Sequence, residues 1–418
     1  VTPFACDSKS TATYGCRCSF AREYGFLTAI FERSAVISGL GRSAIGRRLG
    51  RSGLDLAIDA VLDAVADAGL TRGDIDGVAT GSGYSAGPGA SPVSTMELKE
   101  ALRLELNWYS AAADSSQMSA LISATTAVAS GQARHVVVFR AVTEASARQQ
   151  TPASSSVEPS RGQADGWLQW LTPFNAPSAV NWIGMAAARY FYEFGATREQ
   201  LAQVALNGRR NAALTSDAVY REPLTIEDYL ASRMISTPLC LFDCDVPVDG
   251  AVAMVVSHVD VARDLRLPVH IESIAGPLYG RNTWDQQPDL TRFAGADAAK
   301  RLWSRTDLKP KDVDVAQLYD GFSFLSLIWL EDMGFCGRGE GAAFVEGGAR
   351  IALGGELPMN TSGGQLSYGR LHGMGLIHEA CVQLRGAGGA RQVPNDPRVA
   401  LVTNGGGPVA SAVLLVRK

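Results

Sequence analysis

Cysteine and histidine are scarce in this chain of 418 residues. Its seven cysteines, Cys6, Cys16, Cys18, Cys240, Cys244, Cys336 and Cys381, are too sparse for a disulfide scaffold. No paired Cys-x-x-Cys set exists. Cys240 and Cys244 have no histidine close by in sequence, so they read as buried thiols rather than half of a zinc site. Charged residues make up 19% of the chain, below the usual quarter. A net charge of −4 excludes nucleic-acid binding by bulk charge. No apolar run approaches the ~18 residues of a membrane span. Residues 1–34 lack a basic segment followed by an apolar core; they read as an extension outside the fold, not a signal peptide. The dinucleotide pattern G-x-G-x-x-G and the P-loop are both missing, since Gly39-Leu-Gly41 after a strand continues into Ser43 and Ala44. A cytoplasmic globular enzyme is the expectation.

What is abundant is glycine, 44 of 418 residues, against a typical ~7%. Ala35–Gly41 reads as a short buried strand. Leu54, Ile58, Val61, Leu62 and Val65 share one helical face, and Gly69 ends that helix. Strands follow at Asp76–Thr80, Leu106–Tyr109 and His135–Phe139, separated by helices over Val93–Leu104 and Asp114–Ser130. Residues 150–241 read as an insertion in this first half. It carries Trp167, Trp170, Phe174, Trp182, Tyr190 and Phe191, which fit an apolar ligand layer or a satellite core equally well. Ala251–Ser257 closes the half. From residue 266 the scheme repeats: a strand at Val313–Leu318, a loop and helix from Asn360 to Leu384, and strands at Arg398–Thr403 and Val409–Val416. Alternating strands and helices make an α/β protein of two similar halves, 35–265 and 266–418.

Three glycine-rich strand ends are candidate chemistry: the loop before Asp114, Asn360–Gly375 and Asn404–Gly407. Glycine lets backbone N–H groups approach a ligand closely, as an oxyanion site requires. Any one such turn alone is a weak signal.

Together the blocks Ser34–Gly46, Cys240–Ser257, Val313–Gly334, Asn360–Gly386 and Val399–Val416 resemble the thiolase superfamily, and most nearly its sterol-carrier-protein-type branch. The match keeps the order of all blocks from residue 35 onward. It implies a duplicated five-layered αβαβα fold, usually dimeric, acting on acyl-CoA thioesters.

The reactive positions depart from that family. Asp114, within Ala113-Asp-Ser-Ser-Gln117, stands where the resemblance implies a nucleophilic cysteine. A carboxylate cannot replace a thiolate in acyl transfer at comparable efficiency, because its product would be a mixed anhydride. The His-Asp-Cys-Phe block appears as Tyr319-Asp320-Gly321-Phe322, and the Gly-His-Pro block as Gly369-Arg370-Leu371 after Tyr368. Thr403-Asn404-Gly405 stands where a second cysteine is expected. His372, two positions past Arg370, is a displaced histidine or a polar helix flank.

This pattern resembles the thiolase-like aldolases of steroid side-chain degradation. The resemblance implies a carbon–carbon lyase that cleaves a β-hydroxyacyl-CoA to a ketone and propionyl-CoA. No cofactor beyond the CoA thioester substrate, and no metal, is expected. A homodimer and a small zinc-ribbon/OB-fold partner protein are implied, with no nucleic acid and no membrane. A retro-aldol needs a base for the β-hydroxyl, donors for the thioester enolate and an acid for its α-carbon. Tyr368 is expected as the base and Tyr319 as the acid, a pair that can exchange roles. Arg370 is expected to lower a tyrosine's pKa. Asp114, Asp320 and His372 would support them, and Asn404, Gly405 and Gly406 would contact the thioester. A single tyrosine at a strand end is ordinarily a core residue, and Asp114 also suits a helix N-cap. Two other readings stand beside this one: an acetyl-CoA acetyltransferase-type thiolase, and a non-catalytic acyl-CoA-binding subunit.

Overall fold

The computed structural model describes residues 30–81, 88–112, 118–150, 169–176, 178–262, 265, 267–280 and 283–418. In the first half β1 (Ala35–Arg42), α1 (Gly53–Asp67), β2 (Gly77–Gly81), α2 (Thr95–Leu102) and β3 (Trp108–Ala112) follow in turn. Next come α3 (Met118–Ala129), β4 (His135–Thr143) and α4 (Glu144–Gln150). Three helices then form an excursion: α5 (Ala179–Phe194), α6 (Arg198–Ala213) and α7 (Ile226–Ala231). A small hairpin, β5 (Met234–Ser236) with β6 (Leu239–Cys240), leads back to β7 (Asp249–His258). The second half has β8 (Val269–Tyr279), α8 (Ala294–Trp303), β9 (Val315–Gln317), α9 (Ser323–Asp332) and α10 (Gly341–Val345). It ends with α11 (Gly364–Ser367), α12 (Met374–Leu384), β10 (Val399–Gly405) and β11 (Val409–Val416).

Nine strands hydrogen-bond in the order β3-β2-β4-β7-β1-β8-β11-β10-β9. The halves meet where β1 and β8 pair antiparallel through only two residue pairs, Val36 with His270 and Ile37 with Val269. Outward from that seam the pattern repeats. β1–β7 and β7–β4 are antiparallel and β4–β2 is parallel; β8–β11 and β11–β10 are antiparallel and β10–β9 is parallel. A fifth strand lies outside β2 in the first half; in the second, Met359 alone bridges Ala316 in parallel at that place. This is a duplicated architecture in αβαβα layers, as the resemblance implies.

Period-two alternation assigns each strand's faces. Val137, Phe139, Ala253 and Val255 pack with Leu56, Val61 and Leu98 in one outer layer. Val136, Val138, Met254 and Val256 face the opposite way, onto α3 and α12. Those two helices form a shared central layer, because Val402, Val413 and Leu415 of the second half pack on it too. Leu401 and Leu414 face the other outer layer with α8, α9 and the excursion helices α5 and α6.

Two readings of the sequence are corrected here. The buried face of α1 is Leu56, Ala57, Ala60, Val61, Ala64 and Val65, while Leu62 is exposed. Gly39 and Gly41 explain the shift. A β-carbon on Gly39 would lie 2.1 Å from the Ala64 carbonyl oxygen, and one on Gly41 2.2 Å from that of Ala60. The helix therefore lies flat on β1 along its alanines, with Leu56, Val61 and Val65 packed beside them. The aromatic group of the insertion is not one layer. Tyr190 and Trp182 are buried, and Tyr190 packs on Phe324 at 5.5 Å, whereas Trp170 and Phe174 are exposed. Trp167 lies outside the described residues.

Candidate active site

The C-terminal end of β9 delivers Tyr319 and Asp320. Asn360 holds that end in place: its Oδ1 accepts from Leu318 N–H at 2.8 Å and its Nδ2 donates to the Leu318 carbonyl at 2.9 Å. Thr403 Oγ1 accepts from Tyr319 N–H at 2.9 Å. The Asp320 carboxyl accepts the Gln365 N–H at 2.9 and 3.0 Å, and burial pushes it up to about 7. Gly364 sits against this carboxyl at φ +61°, where a β-carbon would lie 1.9 Å from Asp320 Oδ2, so no larger residue fits.

Arg370 is the fixed cation of the site. Its backbone N–H donates to the Val246 carbonyl at 2.8 Å, which sets the Gly369–Arg370 segment beside the approach to β7. Its Nε and Nη2 meet Glu144 Oε2 at 2.7 and 2.6 Å, and its Nη1 meets Asp245 Oδ1 at 3.0 Å. His372 Nε2 lies 3.1 Å from the other Glu144 oxygen. Burial opposes the charge on Glu144, yet His372 and Arg370 outweigh it and hold the acid well below the ordinary carboxylate range. Burial in turn drives His372 down to about 4, so at neutral pH the imidazole is uncharged and Arg370 is the cation that keeps Glu144 ionised. Asp245 is pushed up to about 6 by burial, which Arg370 only partly offsets.

Tyr319 packs between the central layer and the second outer layer. Burial raises its phenol above the ordinary tyrosine range and Asp245 adds to this; Arg370 pulls the other way but does not prevail. Arg370 thus lowers the phenol as expected, but burial and Asp245 outweigh it and Tyr319 holds its proton.

Tyr368 belongs to a different set of partners. Its hydroxyl donates to Asp217 Oδ2 at 2.9 Å and accepts from Arg42 Nη1 at 3.1 Å, while Arg42 and Asp217 pair at 3.0 Å. Asp217 arrives from the excursion. Val219 and Tyr220 N–H groups donate to the carbonyls of Tyr368 and Ser367, docking the turn after α6 onto α11. Burial also raises the Tyr368 phenol, against the pull of Arg42. The two tyrosine hydroxyls share no hydrogen-bond partner among the described residues.

The remaining expected contacts are accounted for as follows. Asn404 is buried and its Nδ2 donates to the His372 carbonyl at 2.9 Å. The Gly406 N–H donates to Val409 and the Gly405 carbonyl accepts from Trp329, so these strand-end groups are engaged inside the protein. Asp114 lies outside the described residues. Sequence reasoning missed Glu144, Asp245, Asp217 and Arg42. Glu144 had a signal: a charge directly ending a β-branched buried strand is costly unless paired.

Among the described residues no His, Cys, Asp or Glu cluster is able to hold a metal ion, and no helix is long and apolar enough to cross a membrane. A cavity of about 400 Å³ lined by His270, Arg385, Arg398 and Arg417 opens near the start of β10, the end remote from Asn404, and holds none of the groups above.

Residues 35–227 match the family model for the thiolase N-terminal domain, and residues 279–418 that for the thiolase C-terminal domain-like family. The chain is 36% identical over 302 residues to a steroid side-chain-cleaving aldolase of Thermomonospora curvata, covering 70% of this chain and 75% of that one. It is 38% identical over 307 residues to a 17-hydroxy-3-oxo-4-pregnene-20-carboxyl-CoA lyase of Mycobacterium tuberculosis, covering 70% and 76%. Among solved structures, an Ltp2-ChsH2(DUF35) aldolase superposes with a TM-score of 0.83 at 34% identity, covering 93% of this chain and 99% of that one.

Proposed function

The chain belongs to the thiolase superfamily, and from that premise we propose that it is a carbon–carbon lyase. It would cleave the CoA thioester of a steroid side chain bearing a β-hydroxyl to a ring ketone and propionyl-CoA. The observation that carries this reading is the pair at the family's reactive positions. A protonated phenol, Tyr319, and an arginine locked between Glu144 and Asp245 stand there, so neither residue can serve as a base for Claisen chemistry. The similarity to two lyases at 36% and 38% identity supports it further.

The residues divide the work. Tyr368 takes the proton of the substrate hydroxyl while handing its own to Asp217, 2.9 Å away; a buried phenol can thus act as a base without standing as a phenolate. The oxygen lone pair closes to the ketone, and the Cα–Cβ bond breaks toward the thioester. Tyr319 then protonates the α-carbon of the enolate, and its raised pKa suits a donor. The substrate loses one O–H proton and gains one C–H proton; Tyr368 ends as it began, and exchange with solvent takes the proton from Asp217 and returns one to Tyr319. Asp320, Glu144 and His372 position these groups. Asp114 is kept as a supporting residue, and Asn404, Gly405 and Gly406 as contacts to the thioester.

The relative named Ltp2-ChsH2(DUF35) couples two components in its name. A small zinc-ribbon/OB-fold partner, a homodimer and a cytoplasmic location belong to the same proposal. An acyltransferase is the second reading. Against it, burial pushes up the thiol of Cys244, which adjoins Asp245, and Asp245 adds to this, so it is no ready nucleophile.

Product analysis tests the proposal. Protein with and without such a partner is given a 17-hydroxy steroid side-chain CoA thioester, and separately acetoacetyl-CoA with CoA. A 17-keto steroid with propionyl-CoA is the expected result. Acetyl-CoA from the second mixture would establish a thiolase instead.

A further inference from the structure

Arg140 is a charged residue in the middle of an apolar strand. It sits on β4 among Val136, Val137, Val138 and Phe139 and is 1% exposed. Its Nη1 is spoken for, donating to the Gly81 carbonyl and to Ser91 Oγ, the latter at 2.6 Å. Its Nε and Nη2 are buried and have no hydrogen-bond partner among the described residues. These two groups form the side of a guanidinium fork that ordinarily grips a carboxylate, a phosphate or an oxyanion. Unmade hydrogen bonds on a buried cation are costly, so an open fork in a packed core calls for a partner.

The surroundings say what that partner is. Glu144, Tyr319 and Arg370 lie within electrostatic reach of Arg140. Glu144 is already taken by Arg370 and His372, which leaves Arg140 with no hydrogen-bonded carboxylate among the described residues. A further donor adjoins the same phenol. Gln365 Oε1 accepts the Gly373 N–H at 3.0 Å, which fixes the carboxamide, and its buried Nε2 meets no acceptor among the described residues except the Tyr319 phenol, whose pKa that contact lowers. Donors gathered around Tyr319 suit an oxygen that gains negative charge.

We propose that Arg140, together with the Gln365 carboxamide, binds the thioester carbonyl oxygen of the substrate and holds its charge in the enolate. The inference rests on the lyase reading above. As the Cα–Cβ bond breaks, its electron pair becomes the Cα=C double bond and the carbonyl π pair moves to the oxygen that Arg140 grips. When Tyr319 protonates Cα the pair returns, and the neutral thioester leaves. Burial draws Arg140 down only to about 10, with Glu144 opposing, so it remains a cation at neutral pH. Lysine would supply the charge without the fork.

The experiment compares wild type, Arg140→Gln, Arg140→Lys and Gln365→Leu on the β-hydroxyacyl-CoA, with melting curves for each. Folded Arg140→Gln is expected to lose about 10²–10³-fold in kcat with KM within about threefold, as when an oxyanion donor is removed. Arg140→Lys should recover part of that loss. A folded Arg140→Gln enzyme with kcat within about threefold of wild type overturns the proposal. If that variant does not fold, the wild type decides through isotope-edited infrared of bound propionyl-CoA carrying a 13C carbonyl. A stretch moved to lower frequency is expected, and Gln365→Leu should reduce the movement; an unmoved stretch overturns the proposal. A wild type that shifts the carbonyl but cleaves no β-hydroxyacyl-CoA leaves the oxygen site standing and removes the lyase reading.

Discussion

The Tyr368 hydroxyl donates to Asp217 across 151 residues of sequence, at 2.9 Å. The turn after α6 brings the acid there, and Arg42 stabilises both partners from β1. In the proposed proton path the two side chains act as a unit. Tyr368→Phe should lower kcat by about 10²–10⁴-fold, and Asp217→Asn by a similar factor. The double variant should be little worse than either single one. Steady-state kinetics on all four proteins checks this, and multiplicative losses would show that Asp217 does not act through Tyr368.

Tyr319 must hold its proton to do its work, and burial with Asp245 raises its pKa above the ordinary phenol range. The alkaline fall in kcat should therefore come above pH 10. Removing the Asp245 charge in Asp245→Asn withdraws part of the upward push, so the limb should move to lower pH. Tyr319→Phe should lose about 10²–10⁴-fold in kcat across the whole range. A pH–rate profile of each protein reads both effects.

Asp320 gives a stability prediction with a definite sign. Its folded pKa of about 7 lies above the ~3.9 of an unfolded aspartate, so the native state binds more protons between these values. The stability it contributes is full below about pH 4 and is lost as pH rises through 7. His372, lowered to about 4, works in the opposite direction over about pH 4–6.5, so the wild-type curve alone is not diagnostic. The difference between Asp320→Asn and wild type isolates the carboxyl. It should move in the variant's favour by on the order of 2 kcal/mol from pH 4.5 to pH 8, in denaturant titrations.

Glu144 holds Arg370 and His372 together at the centre of the site. Glu144→Gln leaves a buried guanidinium with Asp245 as its one remaining carboxylate. Removing a partner from a buried pair costs about 3–5 kcal/mol, and chemical denaturation should show a loss of that order. Activity should fall as well, because Arg370 is then free to leave its place beside Tyr319.

Much of the fold is legible in the sequence, for a reason visible in β4 and β7. Strands buried on both faces read as unbroken runs of valine and alanine, such as His135–Thr143 and Asp249–His258, and helices between them keep a regular spacing. Periodicity fails on α1, where the choice of face was made by Gly39 and Gly41 on another element. It fails again in the excursion, where Tyr190 and Phe174 look alike in sequence, yet one is buried against Phe324 and the other faces solvent.

The sequence by itself determined the duplicated α/β plan and which residue types stand at the reactive places: Tyr319, Arg370 and no cysteine at 114. Those depend on local order along the chain. Only the tertiary structure decided that Arg370 is locked by Glu144 and Asp245, 226 and 125 residues away, that the Tyr368 hydroxyl hydrogen-bonds to Asp217, and that two buried Arg140 donors have no partner among the described residues. The physical reason is common to all three. A pKa, an ion pair or an unmade hydrogen bond depends on which charges share a desolvated space, and no spacing rule along the chain records that.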